Sequence, residues 1–106
     1  MGLHFINAAL LIKKEATNDL IVVKYLKTAS GPESTFFVRV LINGSDLLTP
    51  SVRPCNKSDS TCTIKGLYPN MAHQVSLREC FDRRKTICSE YSSPTTISTR
   101  PRRKLH

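Results

Sequence analysis

The chain has 106 residues, which suits one domain with a single core of modest size. Apolar residues make up 40% and charged residues 23%, a balance that excludes wholesale disorder. The formal net charge of +8 favours acidic partners, and no run approaches the roughly 20 apolar residues of a membrane-spanning helix, so we expect no direct membrane insertion.

Three strands are predicted in the first part of the chain. Leu10 to Lys14 is the first, although the surrounding INAALLIKKEA also reads as a helix. After a short polar turn, Leu20 to Leu26 is β-branched and apolar, which predicts a buried second strand. Phe36 to Ile42 is the third. Its buried face is formed by Phe36, Val38 and Val40.

The middle of the chain continues with a turn and two short strands. Asn43-Gly44 is a strong signal for a tight turn. Leu47 to Val52 is interrupted by Pro50 and therefore predicts an edge strand. A fifth strand starts at Cys62, with Cys62 and Ile64 pointing inward, and runs down to Leu67.

The last two strands complete a β-sandwich. Apolar residues and His73 recur at every second position from Leu67, which predicts a sixth strand from His73 to Phe81. Its outward face is formed by Gln74, Ser76 and Arg78. Tyr91 to Thr99 is the seventh strand. Seven short strands separated by turns predict an all-β, seven-stranded sandwich of two antiparallel sheets.

The four cysteines form two pairs, and each pair encloses a polar loop. An even number in a small chain favours disulfides, and three connectivities are possible. We favour Cys55–Cys62 and Cys80–Cys88, because each bond would staple its own hairpin; four free thiols are the alternative. The gaps of six and seven residues exceed the two to four that separate typical zinc ligands, so we expect no metal.

Two N-x-S sequons add to the indication of an extracellular location. Asn43 and Asn56 begin them, and both lie in polar stretches from which a glycan can project. Met1-Gly2 reads as the start of an excised segment rather than a leader. We therefore expect a module of a longer secreted or membrane-anchored protein, with neighbouring domains.

The strand approach after Gly66 carries a resemblance to a known family. Its spacing L-x-P-x-x-x-[aromatic]-x-V-x-L resembles the E–F corner of a fibronectin type III domain, with Leu67 and Pro69 at its start and His73 at the aromatic position. The segment from Ser92 to Thr99 is similar to the last strand of that family. The family's corner residue is usually a Tyr whose hydroxyl bonds to nearby backbone, and an imidazole N–H can make a similar bond.

The resemblance covers residues 8–101 and implies the fibronectin type III fold. Residues 1–7 are then an N-terminal extension, and residues 102–106 are a basic tail or linker. The resemblance also places Tyr25 where the family usually has its core Trp, a residue that this chain lacks.

Two features near the end of the chain are candidates for recognition. The loop between Cys80 and Cys88 presents Arg83, Arg84 and Lys85, and the disulfide would make it a rigid basic tip suited to a sulfate or carboxylate. The alternative is an ordinary solvated hairpin end. The run from Cys88 to Ser92, CSEYS, resembles in part the W-S-x-W-S box of cytokine receptors, which implies Tyr91 stacked on Arg78.

Enzymatic and nucleic-acid functions are disfavoured. No nucleophile with an adjacent base, phosphate loop, dinucleotide fingerprint or cofactor motif is present. Alternation places Glu79 on the inward face at the end of its strand, where we expect it to emerge at the sheet rim near a Lys or Arg. Most aromatic residues fall in strands rather than on a stacking surface, which argues against nucleic acid.

The sequence therefore predicts a non-catalytic extracellular recognition module of a receptor or adhesion protein. Its expected partners are an extracellular protein or a sulfated glycan, bound through loops and the edge strand at residues 47–52. A glycan on Asn43 or Asn56 would shield that edge. A structural spacer and a cytokine-receptor-like domain are the alternatives.

Overall fold

The computed structural model describes residues 9–27, 34–45 and 51–102. Those residues form seven strands and no helix. The strands are β1 (Ala9–Ala16), β2 (Ile21–Lys27), β3 (Thr35–Leu41), β4 (Val52–Pro54), β5 (Thr61–Ile64), β6 (Ala72–Cys80) and β7 (Thr95–Ser98). The helical interpretation of the first segment is wrong for residues 9–16, because β1 pairs with β2 from Ala9 to Ala16, with a register shift between Leu11 and Lys13.

The strands form two antiparallel sheets. One has the order β1-β2-β5, and the other has the order β4-β3-β6-β7. The predicted all-β class with two antiparallel sheets is confirmed. Because β4 and β5 are consecutive in the chain but lie in different sheets, the connection between them crosses from one sheet to the other.

The core follows from side chains that alternate along each strand. In β3 every second residue is buried, and Phe36, Val38 and Val40 are the predicted inward set. The facing β2 buries its residues in the same alternation, so apolar side chains of both sheets form one cluster. The cluster includes Ile21, Val23, Tyr25, Phe36, Val38, Val40, Cys62, Ile64, Val75, Leu77 and Ile97.

The predicted tight turn follows β3. Asn43 and Gly44 have φ values of 52° and 75°, and positive φ at both central residues is the geometry that Asn-Gly favours. Ile42 and Ser45 exchange two backbone hydrogen bonds of 3.0 Å. The Gly44 N–H also donates to Gln74 Oε1 at 2.9 Å, which fixes the turn against β6.

Some strand boundaries differ from the predicted ones. The described edge strand is β4, and most of the predicted edge at residues 47–52 lies outside the described residues. β5 ends at Ile64 rather than Leu67, because Gly66 turns the chain with a φ of 73°. β7 starts at Thr95 rather than Tyr91, since Pro94 has no N–H to extend the ladder.

Candidate functional site

The loop after β6 is closed at its base. Cys80 and Cys88 form a disulfide with a Cα–Cα distance of 4.0 Å, as predicted. The Phe81 N–H donates to the Ile87 carbonyl at 2.8 Å, directly above the disulfide. These contacts fix both ends of residues 81–87, so the loop is a short hairpin tip rather than an open connection.

Asp82 organises the interior of the tip. Its Oδ1 accepts hydrogen bonds from the backbone N–H groups of Thr86 at 2.8 Å and Ile87 at 2.9 Å. Its Oδ2 accepts from the Thr86 hydroxyl. The Ile87 N–H, followed by the Thr86 hydroxyl, lowers the pKa of Asp82 below its ordinary 3.8. The carboxylate is therefore ionised at neutral pH and directed into the loop.

The three predicted cationic residues are all exposed on this tip: Arg83, Arg84 and Lys85. Lys85 has a φ of 59°, a left-handed conformation that turns the chain at the apex. Phe81 and Ile87, which are 37% and 59% exposed, flank the cations. The tip thus combines positive charge with apolar surface. Sequence analysis identified the cations as candidates but not Phe81 and Ile87, although both residues belong to the loop that the disulfide closes.

A second cationic surface lies on the outer face of the four-stranded sheet. The Cζ atom of Arg78 lies 4.8 Å from the centroid of the Tyr91 ring, so the expected contact is confirmed. Arg39 of β3 also lies over this ring, with its Cζ at 4.1 Å from the centroid. Sequence reasoning missed Arg39. Its parity in β3, opposite to that of Phe36 and Val38, already directed it to the outer face.

Serine hydroxyls hold Tyr91 in place beside β6. Ser89 Oγ accepts from the Glu79 N–H at 3.1 Å, and Ser92 Oγ accepts from the Leu77 N–H at 2.9 Å. The N–H groups of the same two serines donate to the carbonyls of Glu79 and Leu77, each at 2.8 Å. The segment from Ser89 to Ser92 therefore supplies hydrogen-bond partners to the backbone groups at the edge of β6, although it is not a strand. On the outward face of β6, Ser76 is only 3% exposed.

The other predicted disulfide, Cys55–Cys62, is also present, with a Cα–Cα distance of 4.3 Å. The bond closes its own hairpin, as predicted, because Asn56 and Thr61 pair antiparallel directly inside the two cysteines. Cys55 also continues from β4 and donates its N–H to Phe36 of the four-stranded sheet, whereas Cys62 belongs to β5 in the three-stranded sheet. The bond therefore links the two sheets at their crossover as well, which the sequence did not indicate.

The corner residue His73 is fully buried at 0% exposure. Neither ring nitrogen has a hydrogen bond of ordinary geometry to any residue that the structure describes, so the expected bond to nearby backbone is not made there. Burial lowers the pKa of His73 below 6.5, and weaker contacts with the backbone carbonyls of Met71 and Ile97 oppose that shift. The corner is held instead by Thr99, whose hydroxyl donates to the Tyr68 carbonyl at 2.5 Å. Leu67 is buried and Pro69 half-buried here.

Tyr25 and Glu79 lie in the core. The Tyr25 and Phe36 ring centroids are 4.4 Å apart. Burial raises the pKa of Tyr25; a hydrogen bond with Ser60 lowers it, and the charges of Asp59 and Glu79 raise it further. The expectation that Glu79 emerges near a cation is wrong. Its side chain is 2% exposed, and neither oxygen has a hydrogen-bond partner among the described residues.

Both sequon asparagines lie in exposed turns. Asn43 occupies the tight turn after β3, and Asn56 follows Cys55 in the sheet crossover. Asn56 Oδ1 accepts hydrogen bonds from the Ser58 N–H at 2.9 Å and from the Ser58 hydroxyl at 2.7 Å. Glycosylation of either residue stays a prediction.

Comparison with known proteins gives no family assignment. No protein-family model matches the chain, and no curated protein matches it. Within residues 9–27, 34–45 and 51–102, no three His, Cys, Asp or Glu side chains are grouped so that they could hold a metal ion. The same part of the chain contains no helix with the length and hydropathy needed to cross a membrane.

Proposed function

We propose that the chain is an extracellular, non-enzymatic recognition module that binds an anionic ligand, a sulfated glycan or an acidic protein surface, through the tip between β6 and β7. One observation carries this proposal. The tip is closed by a disulfide, its carboxylate is directed inward, and its three cations are exposed. A stiff loop loses little conformational freedom on binding, so its charges act on a ligand at low entropic cost.

The module is of the fibronectin type III kind in this proposal. Seven strands in two antiparallel sheets form an architecture that such domains share. The corner residues Leu67 and Pro69, followed by the buried His73, support the same assignment. Two disulfides indicate an oxidising environment, and the extracellular space is the setting that also suits two sequons.

A cytokine-receptor-like module is the second candidate. The observation in its favour is the stack of Arg39 and Arg78 on Tyr91, with Ser89 and Ser92 bonded to β6. Paired serines around an aromatic ring that contacts Arg side chains are the arrangement implied by the resemblance to the W-S-x-W-S box. Cys88 takes the place of the first aromatic residue of that box and forms the disulfide to Cys80.

The test is retention on a heparin column across a salt gradient. Arg83→Ala/Arg84→Ala/Lys85→Ala removes the charges of the tip. Arg102→Ala/Arg103→Ala/Lys104→Ala is a matched control, because it removes two Arg and one Lys from the tail. We expect the wild type to elute above physiological ionic strength, about 0.15 M, and the tip variant to elute much earlier than the control.

Two results would contradict the proposal. Equal decreases in the eluting salt concentration for both triple variants would mean that retention depends on net charge and not on the cations of the tip. Weak retention of the wild type, unchanged by either set of substitutions, would mean that the tip is a solvated hairpin end. The domain would then be a spacer, or would bind a protein through another surface such as β4, the terminal strand of its sheet.

A further inference from the structure

We propose that Arg39 and Arg78 form a sulfate-binding site beside Tyr91, and that this site and the tip form one continuous strip for a sulfated glycan chain. The inference rests on the proposed function and adds to it a second site and a class of ligand. It concerns the outer face of the four-stranded sheet, to which the proposed function assigns no ligand.

Arg39 and Arg78 are held close together, and no carboxylate among the described residues is paired with either of them. Their Cζ atoms lie 4.1 and 4.8 Å from one ring centroid, so they are at most about 9 Å apart. Two like charges this near to one ring repel each other to the extent that they lie within the screening length of about 8 Å at physiological salt. No carboxylate among the described residues is paired with Arg39 or Arg78. Within the described part of the chain, the two guanidinium groups therefore have no carboxylate bonded to them, and a ligand can supply the counter-charge.

The Tyr91 ring orients the side chains of Arg39 and Arg78 before any ligand binds. Each Nε atom is buried, while the side chains as a whole are half-buried. Stacking restricts rotation of the long Arg side chains, so less entropy is lost when their remaining N–H groups bind. A sulfate group carries several acceptor oxygens and can accept from two guanidinium groups that approach from different directions.

The pair of Arg39 and Arg78 lies close to the tip. Arg78 is two residues before Cys80, where the tip begins, so about 7 Å of strand separates them. Positive charge thus occurs on the outer face of β6 at Arg78 and again in the tip that follows this strand. Repetition of this kind suits a linear polymer with a sulfate on successive units better than one isolated acidic group. Glu90, which is exposed beside Tyr91, is a nearby carboxylate that opposes such a ligand.

The test uses a fluorescent heparin octasaccharide and measures the affinity of the full chain at several salt concentrations. Arg39→Gln/Arg78→Gln is compared with Lys24→Gln/Lys65→Gln, which removes the same charge from exposed positions in and beside the three-stranded sheet. We expect the Arg variant to bind at least tenfold more weakly. The slope of log affinity against log salt should fall by about 1.4 for two lost contacts, and the Lys control should change much less.

Two further variants and one competitor test the sulfate-binding site. Arg39→Lys/Arg78→Lys retains the charge but loses the planar fork, so most of the affinity should be lost while circular dichroism stays unchanged. Glu90→Gln should bind more tightly than the wild type. Polyglutamate, added at equal charge, should compete less strongly than heparin, because a planar carboxylate offers two acceptor oxygens and a tetrahedral sulfate offers three to the two guanidinium groups.

The outcomes separate this inference from the proposed function. If the tip variant loses affinity and the Arg39/Arg78 variant does not, the tip function stands and the second site is refuted. If the Arg39/Arg78 variant loses affinity and the tip variant does not, the second site stands and the tip function fails. Equal loss in the Lys control, or competition by polyglutamate as strong as by heparin, would overturn the sulfate site.

Discussion

Tyr91→Leu removes the ring on which Arg39 and Arg78 stack. Each cation–π contact contributes about 0.5–1 kcal/mol at an exposed site and up to about 2 kcal/mol when desolvated. Both guanidinium groups have a buried Nε and contact the ring at 4.1 and 4.8 Å, so the two contacts together are expected to contribute about 2 kcal/mol. For a domain of this size, that loss lowers the melting temperature by about 8–16 °C.

Urea unfolding followed by circular dichroism measures the free energy of unfolding directly. Tyr91→Phe is the matched control, because it keeps the ring and should cost less than about 0.5 kcal/mol. Double-mutant cycles of Tyr91→Leu with Arg39→Met and with Arg78→Met should each give a coupling of about 0.5–1 kcal/mol. A loss below about 0.5 kcal/mol for Tyr91→Leu, with couplings near zero, would refute the stack as a stabilising element.

Three other features of the domain give direct predictions. Because burial lowers the pKa of His73 below 6.5, the unfolded chain binds more protons than the folded chain once the pH falls to about 6.5 and below. Wild-type stability should therefore begin to fall near pH 7 and continue to fall below pH 6.5, and His73→Phe should flatten the dependence in urea titrations at pH 7.5 and 5.5. Parallel pH profiles for the two proteins would contradict this account of the corner. Glu79→Met should raise the free energy of unfolding by about 1–3 kcal/mol, because the buried carboxylate has no hydrogen-bond partner among the described residues; a destabilised variant would point to a partner for that carboxylate. Asp82→Ala should speed tryptic cleavage after Arg83 and Arg84 under non-reducing conditions, since it removes the acceptor of three hydrogen bonds in the tip, and an unchanged cleavage rate would show that the disulfide alone orders the loop.

Much of the β-sandwich could be predicted, because the sequence patterns that indicate its strands, its tight turn and its disulfides involve residues close together in the chain. Alternation in β3 fixed the inward residues Phe36, Val38 and Val40, and Asn43-Gly44 predicted a turn with positive φ at both residues. The disulfide pairs were also accessible from the sequence, since each encloses one short loop. Loop length did not show that Cys55 and Cys62 belong to different sheets, because that depends on the crossover between β4 and β5.

The candidate site was predictable only where it depends on neighbours in the chain. The tip cations follow from one hairpin, and the contact of Tyr91 with Arg78 was implied by the resemblance to the W-S-x-W-S box. Arg39 comes from β3, and its place over the same ring depends on the long-range register of β3 with β6. Glu79 was placed at the sheet rim because a buried carboxylate is costly, yet the pairing of Phe36 with Glu79 holds it in the interior.

A nuclear magnetic resonance titration of the labelled domain with heparin octasaccharide would show directly whether the tip and the Arg39/Arg78 pair bind the glycan. We expect the backbone amides of residues 82–87 and the side-chain Nε–H signals of Arg39 and Arg78 to shift together, with one affinity. Signals of the exposed Lys24 on the three-stranded sheet should stay nearly unchanged. Shifts spread evenly over all exposed cations, or no shift at the tip, would contradict recognition through this stapled basic surface.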